Sequence, residues 1–294
     1  MTQNHAAKYS AKVQESFKRN SLTDNAVNHD YDFIGVKTIN VYSVDTATMN
    51  DYTTSGNTRY GSASDLGTTK QEMTLKQDRS FTFTIDRMDD ANSMGVLNPG
   101  SALQRQIETV VIPEVDKYRL ARVVNEKNEV VDAEAEGEKP YEDILNGVTA
   151  LLDKNVPLQG TVAYISSEFY KKIRLDKSFI QASDIAQDAL IKGQVGMIEG
   201  IPLVHVPTSY FPTSETSNTK GTLGNLSSLL SSKKVSFILM NKTAVLGAEK
   251  LADYKIHDNP PGINGWLVEG RVVYDAFLLN KKKDSVYVCT TPSE

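Results

Sequence analysis

The longest amphipathic pattern in the chain lies between Ser101 and about Glu126. Placing residues at 100° intervals gathers apolar side chains on about half of the circumference and leaves polar side chains mostly on the rest. The apolar positions are Leu103, Ile107, Val110, Val111, Val115, Tyr118, Ala121 and Val124, and the polar positions are Gln104, Gln106, Glu108, Thr109, Asp116, Arg119 and Arg122. The pattern predicts one long helix with a buried face, on the order of 37 Å in length at 1.5 Å per residue.

The ends and the middle of this helix carry further signals. Residues 98–100 end the preceding segment, and Ser101 is the predicted N-cap. Pro113 removes a backbone hydrogen bond and predicts a bend or a split. Three apolar residues fall outside the apolar face and indicate a second buried contact: Ile112, Leu120 and Val123.

Elsewhere the pattern alternates between strand and helix without a regular order. Strands are predicted at Phe33–Val44, at Met73 and Leu75, at Phe81, Phe83 and Ile85, at Thr161–Ile165, Leu203–Val206, Val235–Met240, Trp266–Leu279 with a break at Gly270, and Ser285–Thr290. Helices are predicted at Tyr141–Lys154 and at Ser167–Leu175, the latter capped by Ser166 or Ser167, and Asn241–Leu251 is helix-permissive. This mixture favours an α+β fold.

Four segments have too little apolar content to form a core. Between Asp45 and Thr69, 18 of 25 residues are Ser, Thr, Asn, Asp or Gly, which predicts an arm that reaches away from the body. Residues 1–32 are polar and are also predicted to be an arm. Asn125–Asp143 is an acidic linker, and Thr208–Lys234 is predicted to be a surface loop.

Composition changes this picture only slightly. The 294 residues are 39% hydrophobic and 23% charged, no apolar run approaches the length of a membrane helix, and the first twenty residues lack a secretory pattern, so we expect a cytoplasmic protein without a membrane partner. A single cysteine, Cys289, excludes an internal disulfide. The net charge of −5 argues against a protein that coats nucleic acid, but not against a container for it.

No catalytic, cofactor or metal site is predicted. Asp86, Arg87, Asp89 and Asp90 follow a strand, where a solvated turn is the simpler interpretation than a metal site. Four histidines lack ligand spacing: His5, His29, His205 and His257. Cys289 is expected to be buried and inert. Five tyrosines in the first sixty residues are either interface anchors or ordinary loop residues: Tyr9, Tyr31, Tyr42, Tyr52 and Tyr60.

Four segments together carry a resemblance to a known family. They are FTFTIDRMDD (Phe81–Asp90), ALQRQIETVVIPEVDKYRLA (Ala102–Ala121), GMIEGIPLVHVP (Gly196–Pro207) and GWLVEGRVVYDAFLLNKKKDSVYV (Gly265–Val288). In this order the chain resembles, from about Phe33 to Thr290, the major capsid proteins of tailed bacteriophages, whose fold is named for the Hong Kong phage.

The resemblance implies a domain map. Residues 1–32 would be an N-terminal arm. Residues 33–140 would hold an extended E-loop at about 45–79 and a peripheral domain with its spine helix at about 101–126. Residues 141–248 would form the axial domain, and residues 249–294 would supply return strands of the peripheral domain and the closing strand of the axial domain.

The resemblance also implies a function and partners. The chain would be a non-enzymatic shell protein that assembles into pentamers and hexamers of an icosahedral virion capsid in the host bacterial cytoplasm. Its partners would be other copies of itself, a separate scaffolding protein, a portal, a possible decoration protein, and packaged double-stranded DNA bound without sequence specificity. Some members crosslink a loop Lys to an Asn; Lys70 and Lys76 are available here, but we expect no crosslink.

Two alternatives remain open at this stage. An encapsulin-type bacterial compartment would keep the fold and hold an enzyme instead of DNA, although the cargo-docking signature is missing. A cytoplasmic hydrolase would use Asp86, Asp89 or Glu114 as acid and base, although the sequence gives no sign of a cleft that holds two such groups.

Overall fold

The structure is a computed structural model that describes residues 21–31, 37–63, 65–88, 98–133, 139–176, 196–216 and 223–292. Its strands are β1 Thr38–Val44, β2 Thr68–Thr74, β3 Gln77–Asp86, β4 Val131–Asp132, β5 Thr161–Ser166, β6 Met197–Ile198, β7 Ile201–Val206, β8 Lys233–Asn241, β9 Val245–Asp258, β10 Gly265–Leu278 and β11 Val286–Pro292. Its α-helices are α1 Pro99–Gln106, α2 Ile112–Lys127, α3 Pro140–Asp153, α4 Ser167–Leu175 and α5 Leu226–Leu229. Short 3₁₀ turns lie at Asp24–Ala26, Thr208–Tyr210 and Asn280–Ser285.

Helices α1 and α2 are joined by a π-helical turn at Ile107–Val111, and we call the continuous unit the spine helix. The predicted cap was wrong, because the helix starts at Pro99 and the side chain of Asn98, not Ser101, accepts a hydrogen bond from the backbone N–H of Gly100. The helix ends at Lys127, and Asn128 follows in the left-handed conformation (φ 54°) that commonly terminates helices.

The π turn explains how Pro113 is tolerated in the middle of this helix. The backbone N–H of Ile112 donates to the carbonyl of Ile107, five residues back, so the turn is wider than an α-helical turn. Pro113 then occupies the first turn of α2, where its missing N–H costs least. The predicted interruption is therefore present as a widened turn, and the helix stays continuous.

The spine helix is buried on two sides, as its off-face apolar residues indicated. Its N-terminal half packs on the strands β9 and β10, whereas Leu120 and Val123 pack into a different core cluster. Two details of the sequence analysis were wrong. Val110 was assigned to the buried face and is 44% exposed, whereas Asp116 and Arg119 were assigned to the exposed face and are buried.

The strands form three sheets. Strands β1 and β2 form an antiparallel pair, and β3, β10 and β9 form an antiparallel sheet with β10 in the centre. The third sheet has six strands in the order β4-β11-β8-β5-β7-β6, with parallel pairs at β4–β11 and β5–β7. The α+β prediction is confirmed.

The three-stranded sheet corrects two predictions. Residues 245–251 were interpreted as helix-permissive and belong to β9, because they pair with β10 and because Val245, Leu246 and Ala248 are buried. Strand β10 also runs through Gly270 without a break. The glycine is needed because a Cβ there would lie 2.4 Å from ring atoms of Phe81.

The six-stranded sheet is covered on both faces. One face packs against the C-terminal half of the spine helix, and the other packs against α3 and α4. The predicted surface loop at Thr208–Lys234 was partly wrong, since four of its residues are buried in the first of these layers: Phe211, Leu223, Leu226 and Leu230. The predicted acidic linker contributes the short edge strand β4.

The remaining elements largely follow the prediction. Helix α3, strands β5, β7, β8 and β11, and helix α4 all fall within a few residues of their predicted limits. Ser166 is the cap of α4, because its Oγ accepts from the N–H of Phe169 at 3.3 Å. The predicted strand at Phe33–Val44 is described only from Thr38, and residues 33–36 lie outside the described residues.

Candidate self-association surface

The polar segment Asp45–Gly67, which we call the excursion, connects β1 to β2. The two strands pair in register from Thr38 opposite Thr74 to Val44 opposite Thr68. Hydroxyl groups join the strands at both ends, with Thr38 and Thr74 2.8 Å apart and a similar bond between Ser43 and Thr69. The excursion therefore leaves the body on a paired ribbon.

The root of this ribbon is anchored in the chain's own core. Met73 and Leu75 are buried and pack in a cluster with Leu246, Val273 and Phe277 of β9 and β10. Gln71 adds a polar anchor, since its Nε2 donates to the carbonyl of Leu278 at 2.9 Å and its Oε1 accepts from the N–H of Asn280. The root is thus fixed by side chains on alternate positions of β2 and of the residue that follows it.

A buried carboxylate lies where the ribbon meets the spine helix. Asp275 is 1% exposed and accepts hydrogen bonds from the hydroxyl of Tyr118 at 2.7 Å and from the N–H of Lys76 at 2.9 Å. Burial raises the pKa of Asp275, and these hydrogen bonds and the charge of Arg122 oppose that rise. Arg122 also pairs with Glu126, whose pKa is raised chiefly by burial.

The excursion itself makes almost no contact with the body. All of its described residues are exposed except Asp45 and Gly61, which are partly buried. Two apolar side chains of the ribbon and four of the excursion are exposed: Tyr42 at 66%, Val44 at 63%, Met49 at 98%, Tyr52 at 55%, Tyr60 at 83% and Leu66 at 61%. A group of large exposed apolar side chains on a segment with no core of its own is typical of an interaction surface.

Local contacts nevertheless give the excursion a shape. The N–H of Thr53 donates to the carbonyl of Arg59 at 3.0 Å, and the rings of Tyr52 and Tyr60 meet edge to face with centroids 5.1 Å apart. At its base Lys281 forms an ion pair with Asp45. These contacts hold Tyr52 and Tyr60, two of the tyrosines that the sequence left open as interface anchors or ordinary loop residues, next to each other.

The second polar arm behaves differently. Residues Ser21–Asn28, which we call the strap, lie along the spine helix, where Asp116 accepts from Ser21 Oγ at 2.7 Å, from the N–H of Leu22 at 3.0 Å and from Thr23 Oγ1 at 2.6 Å. Arg119 donates to Thr23 Oγ1 at 3.2 Å. These contacts explain why two charged residues of the helix are buried.

The strap also belongs to the core, which corrects the prediction that residues 1–32 contain no core element. Ala26 and Val27 are completely buried. Asn28 forms a parallel bridge with Leu246, and a Cβ at Gly247 would lie 2.2 Å from Val27, so this glycine makes room for the strap. Residues 1–20, with His5 and Tyr9, lie outside the described residues.

The carboxylates named for possible acid–base chemistry have structural partners. Glu114 pairs with Arg79 at 2.7 Å and accepts from the hydroxyl of Tyr274 at 3.3 Å. Asp86 accepts from the N–H of Met88 at 2.8 Å, and Arg87 pairs with Asp258 at 2.9 Å. Asp89 and Asp90 lie outside the described residues.

The described histidines are scattered. His29 contacts Asp24, His205 contacts Ser167 and His257 contacts Glu269, each on a different element. Among the described residues, no group of three or more His, Cys, Asp or Glu is placed to hold a metal ion. Cys289 is 1% exposed, and burial raises its thiol pKa to about 12.

Sequence reasoning missed the three charged residues that hold the two arms. Asp116 and Arg119 gave no usable signal, because helical periodicity placed them on the polar face. Asp275 did have a signal, since it interrupts the apolar run of β10 between Tyr274 and Ala276. No helix of the described residues is long and apolar enough to cross a membrane.

Comparison with solved structures gives extensive matches, although no protein-family model and no curated protein matches the sequence. A structure from Mycobacterium phage Che8 has a TM-score of 0.67 at 16% identity, covering 92% of this chain and 90% of that one. The mature capsid of bacteriophage PhiM1 has a TM-score of 0.64 at 10% identity, covering 92% and 87%. The chain has the Hong Kong phage type capsid fold.

A further match shows how widely this capsid fold is shared. A virus-like particle from Pyrococcus furiosus has a TM-score of 0.56 at 9% identity and covers 98% of this chain and 100% of that one. Because all three identities are low, the comparisons show the fold alone.

Proposed function

We propose that this chain is the structural, non-enzymatic major capsid protein of a tailed bacteriophage and self-assembles into the pentamers and hexamers of an icosahedral shell that encloses double-stranded DNA. The single observation that carries the proposal is the excursion: it is anchored at its root but exposed along almost all of its described length. The phage capsid fold supports the same conclusion.

The physical argument concerns exposed apolar side chains. Met49 and Tyr60 at 98% and 83% exposure gain nothing from the body of their own subunit. Burying a large apolar side chain stabilises by about 1.5–3 kcal/mol, so covering several of them on a neighbouring copy supplies a useful contact. Each contact is modest, but a closed shell repeats it many times.

The domain map is part of the proposal. Residues 33–140 would provide the E-loop and the peripheral domain with its spine helix, and 141–248 the axial domain. Residues 249–294 would provide the return strands of the peripheral domain and the closing strand of the axial domain. The three-stranded sheet on the N-terminal half of the spine helix and the six-stranded sheet on its C-terminal half support two regions joined by that helix. Strand β9 crosses the proposed boundary at residue 248, and Gln77–Arg79, which were assigned to the E-loop, lie in β3.

The proposed partners follow from assembly. They are other copies of the chain, a separate scaffolding protein, a portal and optional decorating subunits, with the DNA held without sequence-specific contacts. The net charge of −5 argues against coating of DNA and is compatible with enclosure of it. The proposed location is the virion capsid, assembled in the bacterial cytoplasm.

Electron microscopy of the purified protein, with and without co-expressed scaffolding protein, tests the assembly. We expect closed shells of uniform size. A species that stays strictly monomeric under all assembly conditions would overturn the proposal.

Deleting Asp51–Gly67 tests the role of the excursion. Because the described residues of this segment belong to no core cluster, the subunit should remain folded by circular dichroism and soluble, but stable shells should be absent in micrographs. The exposed substitution Asn57→Ser, which keeps the segment at full length, is the matched control and should assemble normally. Normal particles from the deletion would contradict the assignment.

A bacterial protein compartment of the encapsulin type is a second candidate, favoured by the match to the Pyrococcus furiosus particle. It makes the same shell and differs only in content. Nuclease treatment of isolated shells followed by extraction separates the two, since protected DNA supports the virion and a co-purifying enzyme supports the compartment.

A further inference from the structure

The chain contains two Asn-Gly dipeptides, and the fold places them in different backbones. Asn264 lies in the exposed turn between β9 and β10, and Gly265 is the first residue of β10. Asn146 and Gly147 lie in the middle of helix α3. Both asparagines are exposed and both glycines are buried, so the two sites differ in backbone structure rather than in access to water.

An asparagine followed by glycine has the elements of a self-modifying site. The backbone nitrogen of the glycine is a nucleophile, and the side-chain amide carbon of the asparagine is an electrophile that it reaches by closing a five-membered ring. Glycine favours this closure because it has no side chain to hinder the nitrogen and the widest range of backbone conformations. The backbone around the dipeptide therefore decides whether the ring closes.

The backbone at Asn264 needs little change to become free. Gly265 and Asp86 are the last residues that pair between β10 and β3, and the carbonyl of Asn264 accepts one further hydrogen bond from the N–H of Arg87 at 3.1 Å. The end of a strand ladder opens more readily than its centre. The attack at Asn264 therefore requires only the end of the ladder to open.

The backbone at Asn146 is held much more firmly. In the middle of an α-helix the N–H of Gly147 is bonded to the carbonyl four residues earlier. The helix also packs closely at this point, because a Cβ at Gly147 would lie 3.0 Å from side-chain atoms of Leu239 and Tyr287. The same reaction at Asn146 requires α3 to open and to leave the sheet.

Packing also explains why a glycine follows Asn264. A Cβ at Gly265 would overlap the backbone carbonyl oxygen of Ile85 in β3. A larger residue, which would slow ring closure, cannot occupy this position without moving β3. The close approach of the two strands therefore keeps a reactive dipeptide at an exposed turn.

We propose that Asn264 is a site of spontaneous deamidation, which becomes a mixture of aspartate and isoaspartate while Asn146 stays intact. The bond between the Gly265 nitrogen and Cγ of Asn264 forms, the bond between Cγ and Nδ2 breaks, and Nδ2 leaves as ammonia with the proton of the Gly265 nitrogen. Water then opens the ring at either carbonyl. One water is consumed, one ammonia is released, and no electrons are transferred.

The products change the tip of the three-stranded sheet. Both add a negative charge opposite Arg87, whose guanidinium group already pairs with Asp258 at 2.9 Å and lies 5.7 Å from the ring centroid of Trp266. Isoaspartate also inserts one carbon into the main chain directly before Gly265, which displaces the pairing of Trp266 with Asp258. Trp266 is the only tryptophan of the chain, so its fluorescence reports on this change.

Incubation of the full chain at neutral and mildly alkaline pH, followed by proteolysis and mass spectrometry of the peptides, tests the proposal. We expect Asn264 to convert at least about tenfold faster than Asn146, because Asn146 reacts only when its helix opens. Conversion should be faster at the higher pH, since the attacking nitrogen must lose its proton. In denaturant, where both backbones are free, the two rates should become similar.

The variant Asn264→Gln is the matched control. It keeps a side-chain amide at the turn but needs a larger ring for the same attack, so its peptide should stay unmodified and its Trp266 fluorescence should stay constant over the incubation. Asn264→Asp should reproduce the added charge without the extra main-chain carbon. The site lies outside the excursion, and the result does not depend on the proposed shell function.

Two results would overturn the proposal. The first is an intact Asn264 in the folded chain under conditions in which a synthetic peptide of residues 260–269 deamidates, because the turn would then protect the asparagine. The second is equal conversion of Asn264 and Asn146 in the folded chain, because the backbone would then have no influence.

Discussion

The excursion and the strap are both polar segments, yet only one of them is held by the body of its own subunit. The excursion exposes nearly all of its described side chains, whereas the strap buries Ala26 and Val27 and binds Asp116 and Arg119. Polar composition alone therefore does not decide whether a segment docks. What decides it is whether the body offers buried donors and acceptors that match the backbone and hydroxyl groups of the segment.

The two segments also differ at the carboxylate that each one contacts. Asp116 receives three donors from the strap, and Arg119 lies one turn further along the helix. Asp275 receives Lys76 N–H at the root of the excursion and Tyr118 from the spine helix. Asp116 therefore anchors the strap, whereas Asp275 anchors only the root of the excursion.

The largest effect on subunit stability is expected from Asp116→Ala. The substitution leaves three donors of the strap without their buried acceptor, so we expect the free energy of unfolding to fall by about 3–5 kcal/mol. Urea denaturation of the variant and the wild type measures this change in the free energy of unfolding. Asp51→Ala in the exposed excursion is the control, with an expected change below about 0.5 kcal/mol.

If Asp116→Ala does not fold, Ser21→Ala tests the same contact more gently. This substitution removes a single hydrogen-bond donor to Asp116 and should lower the free energy of unfolding by about 1 kcal/mol. If neither Asp116→Ala nor Ser21→Ala lowers the free energy of unfolding, the strap does not stabilise the folded subunit.

An intermediate effect is expected from pH at the root of the excursion. Because the pKa of Asp275 is raised in the folded state, the folded protein holds this proton more readily than the unfolded chain. Its contribution to stability is therefore greatest at low pH and falls as the pH rises from about 3.8 through the raised value. Denaturation of the wild type and Asp275→Asn between pH 4 and about 7 should show the wild type losing stability relative to the variant.

Asp284 should contribute a pH dependence of stability opposite to that of Asp275. The pKa of Asp284 is lowered, so its contribution is present above its unfolded value of 3.8 and is lost as the pH falls. Asp284→Asn should therefore give a pH trend opposite to that of Asp275→Asn. The same trend in both variants would contradict the assignment of Asp275 as a carboxylate disfavoured by burial.

The smallest effect on stability is expected from Met49→Ser. This side chain is 98% exposed, so the free energy of unfolding of the isolated subunit should change by less than about 0.5 kcal/mol. The same variant should reduce the yield of assembled shells, as measured by sedimentation, if Met49 is covered by a neighbouring copy. A large loss of subunit stability would show that the excursion folds onto its own body.

The local elements were predictable because their signals are local. The period of 3.6 residues located the spine helix, and alternation located Phe81, Phe83 and Ile85 on one side of β3. The exposed excursion followed from its low apolar content, since most of its residues are small and polar. The capsid fold was suggested by the order of four segments, and the structure confirms it.

The tertiary structure alone decided which polar residues are buried and which glycines are needed. Residues 245–251 became strand because β10 offers them a partner along its length, and Gly270 stays inside a strand because a ring from β3 lies over it. Asp116 and Arg119 are buried because the strap, which lies about ninety positions away in the chain, returns to meet them. Local periodicity reports only neighbours along the chain, whereas burial of a charge depends on distant segments that complete its hydrogen bonds.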